Sequence, residues 1–321
     1  MNVDDLGRPP AACFRRGAWI ASAASAVAMG ATASRLAAQT PDAMKIGVGQ
    51  IESHAEGHYA LDAGFFAKRG LSVEVQSLRN GATIAAAVAS GDLQAGCSTV
   101  LQLAQARGRG LPFVILAAGS LHDSRFGDTA GLVVAASSPY HAPKDLNGKV
   151  IALSTLNGLD QLETSMLVDK DGGDSSTLKF VELSERIMAD ALEQGRVDGA
   201  SLEEPELSEA GKRIRSVGDG MNAISKRFIS TVYFTTADWL AANPGIARRF
   251  SEAIFAAGAW AMANPASAAV ILQKHVGASM RATQRFATRN DVNELAPLAR
   301  AAVQYKFAAP SGLDILRDIR F

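Results

Sequence analysis

Cysteine is scarce in this chain of 321 residues: there are two, Cys13 and Cys97. Cys13 falls in an N-terminal segment with the character of an export signal, so the remainder holds Cys97 alone and has no intramolecular disulfide to form. A surplus of charge is missing as well. Lys and Arg number 32 and Asp and Glu 32, so no basic excess stands ready to neutralise phosphates, which argues against nucleic acid and leaves a small molecule as the expected partner. Charged residues make up only 20% of the chain and hydrophobic residues 48%, enough apolar surface for two ordinary cores and without the composition of disorder. Beyond Ala33 the sequence offers no long uncharged apolar run of the kind a membrane span requires.

Residues 1–39 read as an address rather than as fold. Arg15-Arg16 precede an Ala-rich run from Gly17 to Ala33, shorter than the ~20 apolar residues of a spanning helix. Ala31-Thr32-Ala33 has the small-x-small pattern of a cleavage site, and Leu36-Ala37-Ala38 offers a second. The paired arginines resemble a twin-arginine signal, while Ala18, where such signals usually carry Phe, leaves the Sec route open. Cys13 precedes the apolar run, the wrong side for lipid attachment. The mature protein is expected outside the cytoplasm.

What the chain does contain is a repeat. Ala86 to Gly96 reads AAVASGDLQAG and Asp190 to Ala200 reads DALEQGRVDGA, each a helix end, a Gly stop and a short strand. The same offset separates Lys45 from Lys149 and Gly91 from Gly195. A repeat of that length is too long for a solenoid unit and suits a whole α/β lobe. Strand and helix signals alternate in both halves, which predicts parallel sheets with crossover helices. Strands are expected at Met44 to Val48, Leu71 to Leu78, Leu93 to Cys97 and Pro112 to Ala117, then at Lys149 to Leu153, Leu178 to Leu183 and Val197 to Leu202. Helices are expected at His58 to Lys68, Ala82 to Ser90, Val100 to Arg107, Gln161 to Asp169 and Ile187 to Gln194. The β-rich runs Gly131 to Ala136 and Phe228 to Thr235 are read as the two crossings between lobes, and Trp239 to Phe321 as helical, broken at Pro244, Pro265, Pro297 and Pro310. The expected division is lobe 1 at 44–132 plus 232–321 and lobe 2 at 133–231.

Several segments then carry a resemblance. They are Ala63-Gly64-Phe65-Phe66-Ala67-Lys68-Arg69-Gly70-Leu71, Ala89-Ser90-Gly91-Asp92 with Ala95-Gly96, Lys144-Asp145-Leu146-Asn147-Gly148-Lys149, Gln194-Gly195-Arg196-Val197-Asp198-Gly199, and Glu204-Pro205. In this order and spacing, from about Met44 to Leu207, the chain is similar to substrate-binding proteins of ABC importers. The branch is the nitrate, sulfonate, taurine and pyrimidine-precursor binders (NMT1/THI5-like, SsuA-like). The resemblance implies a two-lobed α/β fold of type II, two doubly wound sheets joined by a two-strand hinge. It further implies a periplasmic monomer without cofactor, capturing a small organic solute for an ABC permease of the inner membrane. Enzymes of pyrimidine and quinone biosynthesis share the fold, so fold alone leaves catalysis as one alternative, and a periplasmic ligand sensor is the other.

Ligands of open α/β sheets bind beyond the carboxyl ends of the strands, where loops converge and helix N-termini offer N–H groups. That rule nominates Gln50, Ser53, His54, His58 and Tyr59 after the first strand, Asn80 after the second, Ser98 and Thr99 after the third, and Ser120 and His122 after the fourth. In the second lobe it nominates Ser154, Thr155, Asn157, Gly158, Glu203 and Glu204. Arg79 could meet an anionic group or face solvent, and Ser98, Thr99, Ser154 and Thr155 are also what helix caps look like. His54 and His58, four apart, would share a helix face as metal ligands do, but His54 falls in the loop, and hydrogen bonding to an organic ligand or plain helix-start polarity is preferred to a metal. At Glu203 the related binders often have an aromatic residue. Two adjacent carboxylates there disfavour a bare dianion and point to a neutral, zwitterionic or partly cationic solute, the other reading being that Glu203 faces solvent while Glu204 caps the next helix. The enzyme alternative lacks support: Cys97 has no His partner nearby in sequence, and the nominated loops contain no Lys.

Overall fold

The computed structural model describes residues 41–127, 130–204, 206–277 and 284–321; the export-signal reading of residues 1–39 and the position of Pro205 lie outside them. The described strands are β1 (Asp42–Gly49), β2 (Leu71–Leu78), β3 (Ala95–Thr99), β4 (Phe113–Ala118), β5 (Leu121–Asp123), β6 (Ala130–Ala135), β7 (Val150–Leu153), β8 (Lys179–Glu182), β9 (Gly199–Glu203), β10 (Ile214–Gly218), β11 (Arg227–Ile229) and β12 (Thr231–Thr236). They form two five-stranded sheets, ordered β2-β1-β3-β12-β4 and β10-β6-β9-β7-β8, and a ribbon of β5 with β11. Read from the other edge, the second sheet repeats the first. Each has three parallel strands, then one antiparallel strand (β12 or β6), then an outer strand. The repeated glycines explain the match locally. Gly91 (φ 85°) and Gly195 (φ 64°) both occupy the left-handed region that glycine enters without steric cost, and each stops a helix just before a parallel strand.

The helices are α1 (Glu56–Asp62), α2 (Gly81–Ser90), α3 (Val100–Gly108), α4 (Leu159–Lys170), α5 (Met188–Glu193), α6 (Glu206–Ala210), α7 (Gly220–Ile224), α8 (Ala237–Ala242), α9 (Pro244–Ala263), α10 (Pro265–Val276) and α11 (Val292–Gln304). They cover both faces of the sheets, which is why the strands are apolar runs rather than alternating ones. Strand β4 is buried throughout: Phe113 and Ile115 join the core with α2, α3 and α11, while Val114 and Leu116 join the core with α1, α9 and α10. The second sheet behaves alike, with Val133 and Ala152 on one side and Leu132, Val134, Ile151 and Leu153 on the other. Among the described residues no single helix is long and apolar enough to cross a membrane.

Four sequence expectations are corrected. The run Gly131 to Ala136 does not cross between halves; as β6 it lies inside the second sheet, between β10 and β9. Its Leu132, Val133 and Val134 are buried on both faces, and a doubly buried strand needs hydrogen-bonding neighbours on both edges. The run Phe228 to Thr235 is divided at Ser230: β11 pairs with β5 (Phe228 opposite His122), and β12 then enters the first sheet between β3 and β4. The two connections between the sheets thus pass through the β5–β11 ribbon. The helix expected to reach Lys68 ends at Asp62, because Gly64 (φ 76°) turns the chain before a short 3₁₀ segment, Ala67–Arg69. Pro297 does not break its helix. Its missing donor falls opposite the carbonyl of exposed Asn293, and the buried face of Leu295, Leu298, Ala299 and Ala302 holds α11 together. Pro244 and Pro265 begin helices at the position where a missing N–H is harmless.

Candidate functional site

A cleft of about 350 Å³ opens between the two sheets, lined by loops at the carboxyl ends of their parallel strands. From the first half come Gln50, Ser53 and His54 after β1, Arg79, Asn80 and Gly81 after β2, Thr99 at the end of β3, and Ser120 and His122 around the start of β5. From the second come Ser154, Thr155, Gly158 and Asp160 after β7, Glu185 after β8 and Glu203 at the end of β9.

The first-half wall is built of caps and fixed hydroxyls. Asn80 caps α2 by accepting from the Thr83 N–H at 2.9 Å, and Thr99 caps α3 by accepting from the Gln102 N–H at 3.2 Å. A Cβ at Gly81 would collide with the Gln102 amide and the Ser98 hydroxyl, so the α2 N-terminus approaches the cleft only because that residue is glycine. Thr231 Oγ1 accepts from the Ser120 N–H at 2.7 Å and donates to the Ser53 carbonyl at 3.1 Å. Gln284 Nε2 donates to Ser120 Oγ at 2.7 Å. His54 accepts the Gly49 N–H on Nδ1 at 2.9 Å, which assigns the ring proton to Nε2. Burial pushes its pKa down to about 4, so it stands neutral in the wall.

Carboxyls dominate the second-half wall. Asp160 Oδ2 accepts from the Ser154 N–H (2.7 Å), the Ser154 hydroxyl (2.9 Å) and the Thr155 N–H (3.1 Å), and so moulds the loop that enters α4. Burial nonetheless raises its pKa. One helical turn on, Glu163 is 3% exposed and accepts from Ser201 Oγ at 3.1 Å. Burial, then the nearby Glu203, Asp160 and Asp219, raise it well above the ordinary carboxylate range. Glu185 is pushed up to about 8 by burial and by Glu203 and Glu206. Arg79 is the one lysine or arginine among the described residues that line the cleft.

Five nominated residues do not line it. His58 lies on α1, facing α10, where its ring stacks on His275 at 4.3 Å; Tyr59 packs against Phe286 at 5.8 Å and Trp260 at 6.4 Å. Only the loop before α1 reaches the cleft, because the helix presents its side chains to α9 and α10. Ser98 is buried behind the wall, hydrogen-bonded to Gln102. Asn157, in the left-handed region at φ 58°, turns away from the cleft toward a separate hollow and accepts on its carbonyl from Gln105 Nε2 at 3.0 Å. Glu204 holds Ser208 through its N–H (3.0 Å) and hydroxyl (2.8 Å), the capping role weighed from sequence. Among the described residues no group of three or more His, Cys, Asp or Glu side chains is placed to hold a metal ion. Conversely, Gln102, Asp160, Glu185, Met221, Ser230, Thr231 and Gln284 line the cleft without having been nominated.

Two sheets of matching strand order facing each other across such a cleft, linked by a two-stranded ribbon, are the architecture of periplasmic binding proteins. The aliphatic sulphonate binding protein SsuA of Escherichia coli superposes with a TM-score of 0.71 at 17% identity, over 88% of this chain and 92% of SsuA. The nitrate-binding protein NrtA of Synechocystis PCC 6803 gives 0.71 at 12% identity, over 87% and 86%. The desulfurization enzyme DszB gives 0.59 at 16% identity, over 86% and 99%. No curated protein sequence matches the chain. The NMT1/THI5-like family model matches residues 52–268, and the chain belongs to that family.

Proposed function

We propose that the protein is the solute-binding component of an ABC importer, holding a small organic molecule in the cleft and delivering it to an inner-membrane permease. The observation that carries this reading is the cleft itself: capped helix N-termini and fixed hydroxyls on one side, carboxyls on the other, all at strand carboxyl ends. Residues 44–132 with 232–321 act as one lobe and 133–231 as the other, to within the three residues by which β6 (Ala130–Ala135) and the one by which β12 (Thr231–Thr236) overrun those bounds. The lobes close about the β5–β11 ribbon, with Gln50, Ser53, His54, Asn80, Thr99, Ser120, His122, Ser154, Thr155, Gly158 and Glu203 against the solute. The protein works as a monomer in the periplasm, exported by its N-terminal segment.

Catalysis on the same fold, for which DszB is the precedent, is the competing reading. Cys97 does not favour it: burial, then Glu56, raise its thiol well above the ordinary value, which suits a buried apolar group and not a nucleophile. The test is mass spectrometry of small molecules released by denaturing protein purified without harsh washing. One small organic species, near one per chain, is expected; a nucleotide, a metal-bound group or a macromolecular fragment in its place would overturn the reading.

A further inference from the structure

Strand β12 runs against the parallel strands of the first sheet. Its first residue, Thr231, therefore stands opposite Thr99, the last residue of β3, and its later residues lead away from the cleft. Thr231, Tyr233 and Thr235 share one face of the strand by the two-residue repeat. Each hydroxyl donates to a carbonyl of another segment: Thr231 to Ser53 at 3.1 Å, Tyr233 to His54 at 3.2 Å and Thr235 to Gln94 at 2.6 Å.

The first two also accept. Thr231 Oγ1 takes the Ser120 N–H at 2.7 Å, and the Tyr233 hydroxyl takes the Gly57 N–H at 2.8 Å. Thr231 is 2% exposed and Tyr233 is fully buried. A hydroxyl has one hydrogen, and here both hydrogens are spent inside the protein. What these two side chains hold is the wall itself, since Ser53, His54 and Ser120 line the cleft from two loops far apart in sequence. The approach depends on glycine: a Cβ at Gly119 would stand 2.6 Å from Thr231 Oγ1.

Resting on the receptor reading above, we infer that Thr231 and Tyr233 are positioning residues for the solute, a two-hydroxyl clamp that fixes the Ser53–His54 loop and the Ser120 loop in their binding geometry. Groups held in place before binding lose less conformational freedom when the solute arrives, so the clamp acts on affinity and not on stability alone. Thr235 makes a bond of the same kind from the same strand face, but at the end of the sheet remote from the cleft, and serves as the control.

Two measurements test this. In ligand-stripped protein, amide exchange followed by NMR should be at least tenfold faster at Ser120 in Thr231→Val and at Gly57 in Tyr233→Phe, and unchanged at Ser120 in Thr231→Ser, which keeps the hydroxyl. In titration calorimetry, with the small molecule released from wild-type protein as the probe, Thr231→Val and Tyr233→Phe should each bind at least tenfold more weakly. Thr231→Ser should stay within threefold of wild type. Thr235→Val should also stay within threefold, although it lowers the melting temperature as Thr231→Val does. Wild-type affinity in both clamp variants, equal weakening in Thr235→Val, or unchanged exchange at Ser120 and Gly57 would overturn the inference and leave the receptor reading standing. Absence of any released molecule would count against the receptor reading instead, and the exchange rates would still decide whether the clamp sets the loops.

Discussion

Replacing Glu56 by Gln should flatten the fall of stability between pH 5 and pH 8. Glu56 is 1% exposed, its Oε1 has no hydrogen-bond partner among the described residues, and its Oε2 lies 3.5 Å from the Tyr233 hydroxyl. Gly119 leaves room for it; a Cβ there would stand 3.0 Å from Oε1. Burial pushes the carboxyl from 4.5 up to about 8. In the unfolded chain the group ionises near 4.5, while the folded protein keeps its proton until about 8. The folded state therefore binds the extra proton in that window, and its contribution to stability, complete at low pH, is lost as pH rises toward 8. The slope is ~1.4 kcal/mol per pH unit, or ~4 kcal/mol between pH 5 and pH 8. For a chain of this size that corresponds to roughly 8–16 °C in melting temperature. His54, His58 and Glu185 titrate in overlapping ranges but are the same in both proteins, so they cancel in the difference. Any offset from the amide's second N–H is independent of pH. Denaturant unfolding of wild type and Glu56→Gln at pH 5, 6.5 and 8 should show the variant gaining on wild type at each step. Curves that stay parallel would refute the reasoning.

Other substitutions have equally specific outcomes. Tyr233→Phe removes the hydroxyl that accepts from the Gly57 N–H at 2.8 Å and donates to the His54 carbonyl at 3.2 Å; stranding buried groups should cost about 1–3 kcal/mol in chemical denaturation. Gly81→Ala drives a methyl into Gln102 and Ser98, and an overpacked site of this kind should lose about 1–3 kcal/mol, with weaker solute binding, whereas Gly245→Ala, which meets nothing within 4 Å, should leave binding unchanged. Gln105→Ala removes the Gln105–Asn157 bond and should lower stability by about 0.5–1.5 kcal/mol, read by thermal unfolding.

The sequence carried the fold through its punctuation and periodicity. Gly91 and Gly195 marked where helices stop, and the alternation of apolar strands with helices around them placed β1–β4 and β7–β9. What it could not carry was membership of a sheet. Leu132-Val133-Val134 reads as a buried strand whichever sheet holds it, and only the antiparallel pairing of β6 with β9 decides. Prolines misled at Pro297 because breaking a helix depends on whether the carbonyl four residues earlier can reach water.

For the cleft, the strand-end rule nominated the loops after β1 to β4 but followed only two loops in the second half. Applied to β8 as well, it leads to Glu185, which lies in the loop after that strand. Asp160 and Glu163 are three apart near the start of a helix and so share a face, a local signal that the strand-end rule does not read. Gln284 is distant in sequence from every cleft loop, and no local pattern announces it. His58 and Tyr59 were nominated one helical turn too far because α1 starts at Glu56 rather than His58.

The most direct test returns the released molecule to stripped protein and measures, after equilibrium dialysis and denaturation, how much is bound per chain and in what chemical form. Saturation near one per chain with the molecule recovered unchanged is predicted, and Glu203→Gln should weaken that binding. Recovery of a converted product, or binding unaffected by substitutions on both walls of the cleft, would contradict the account.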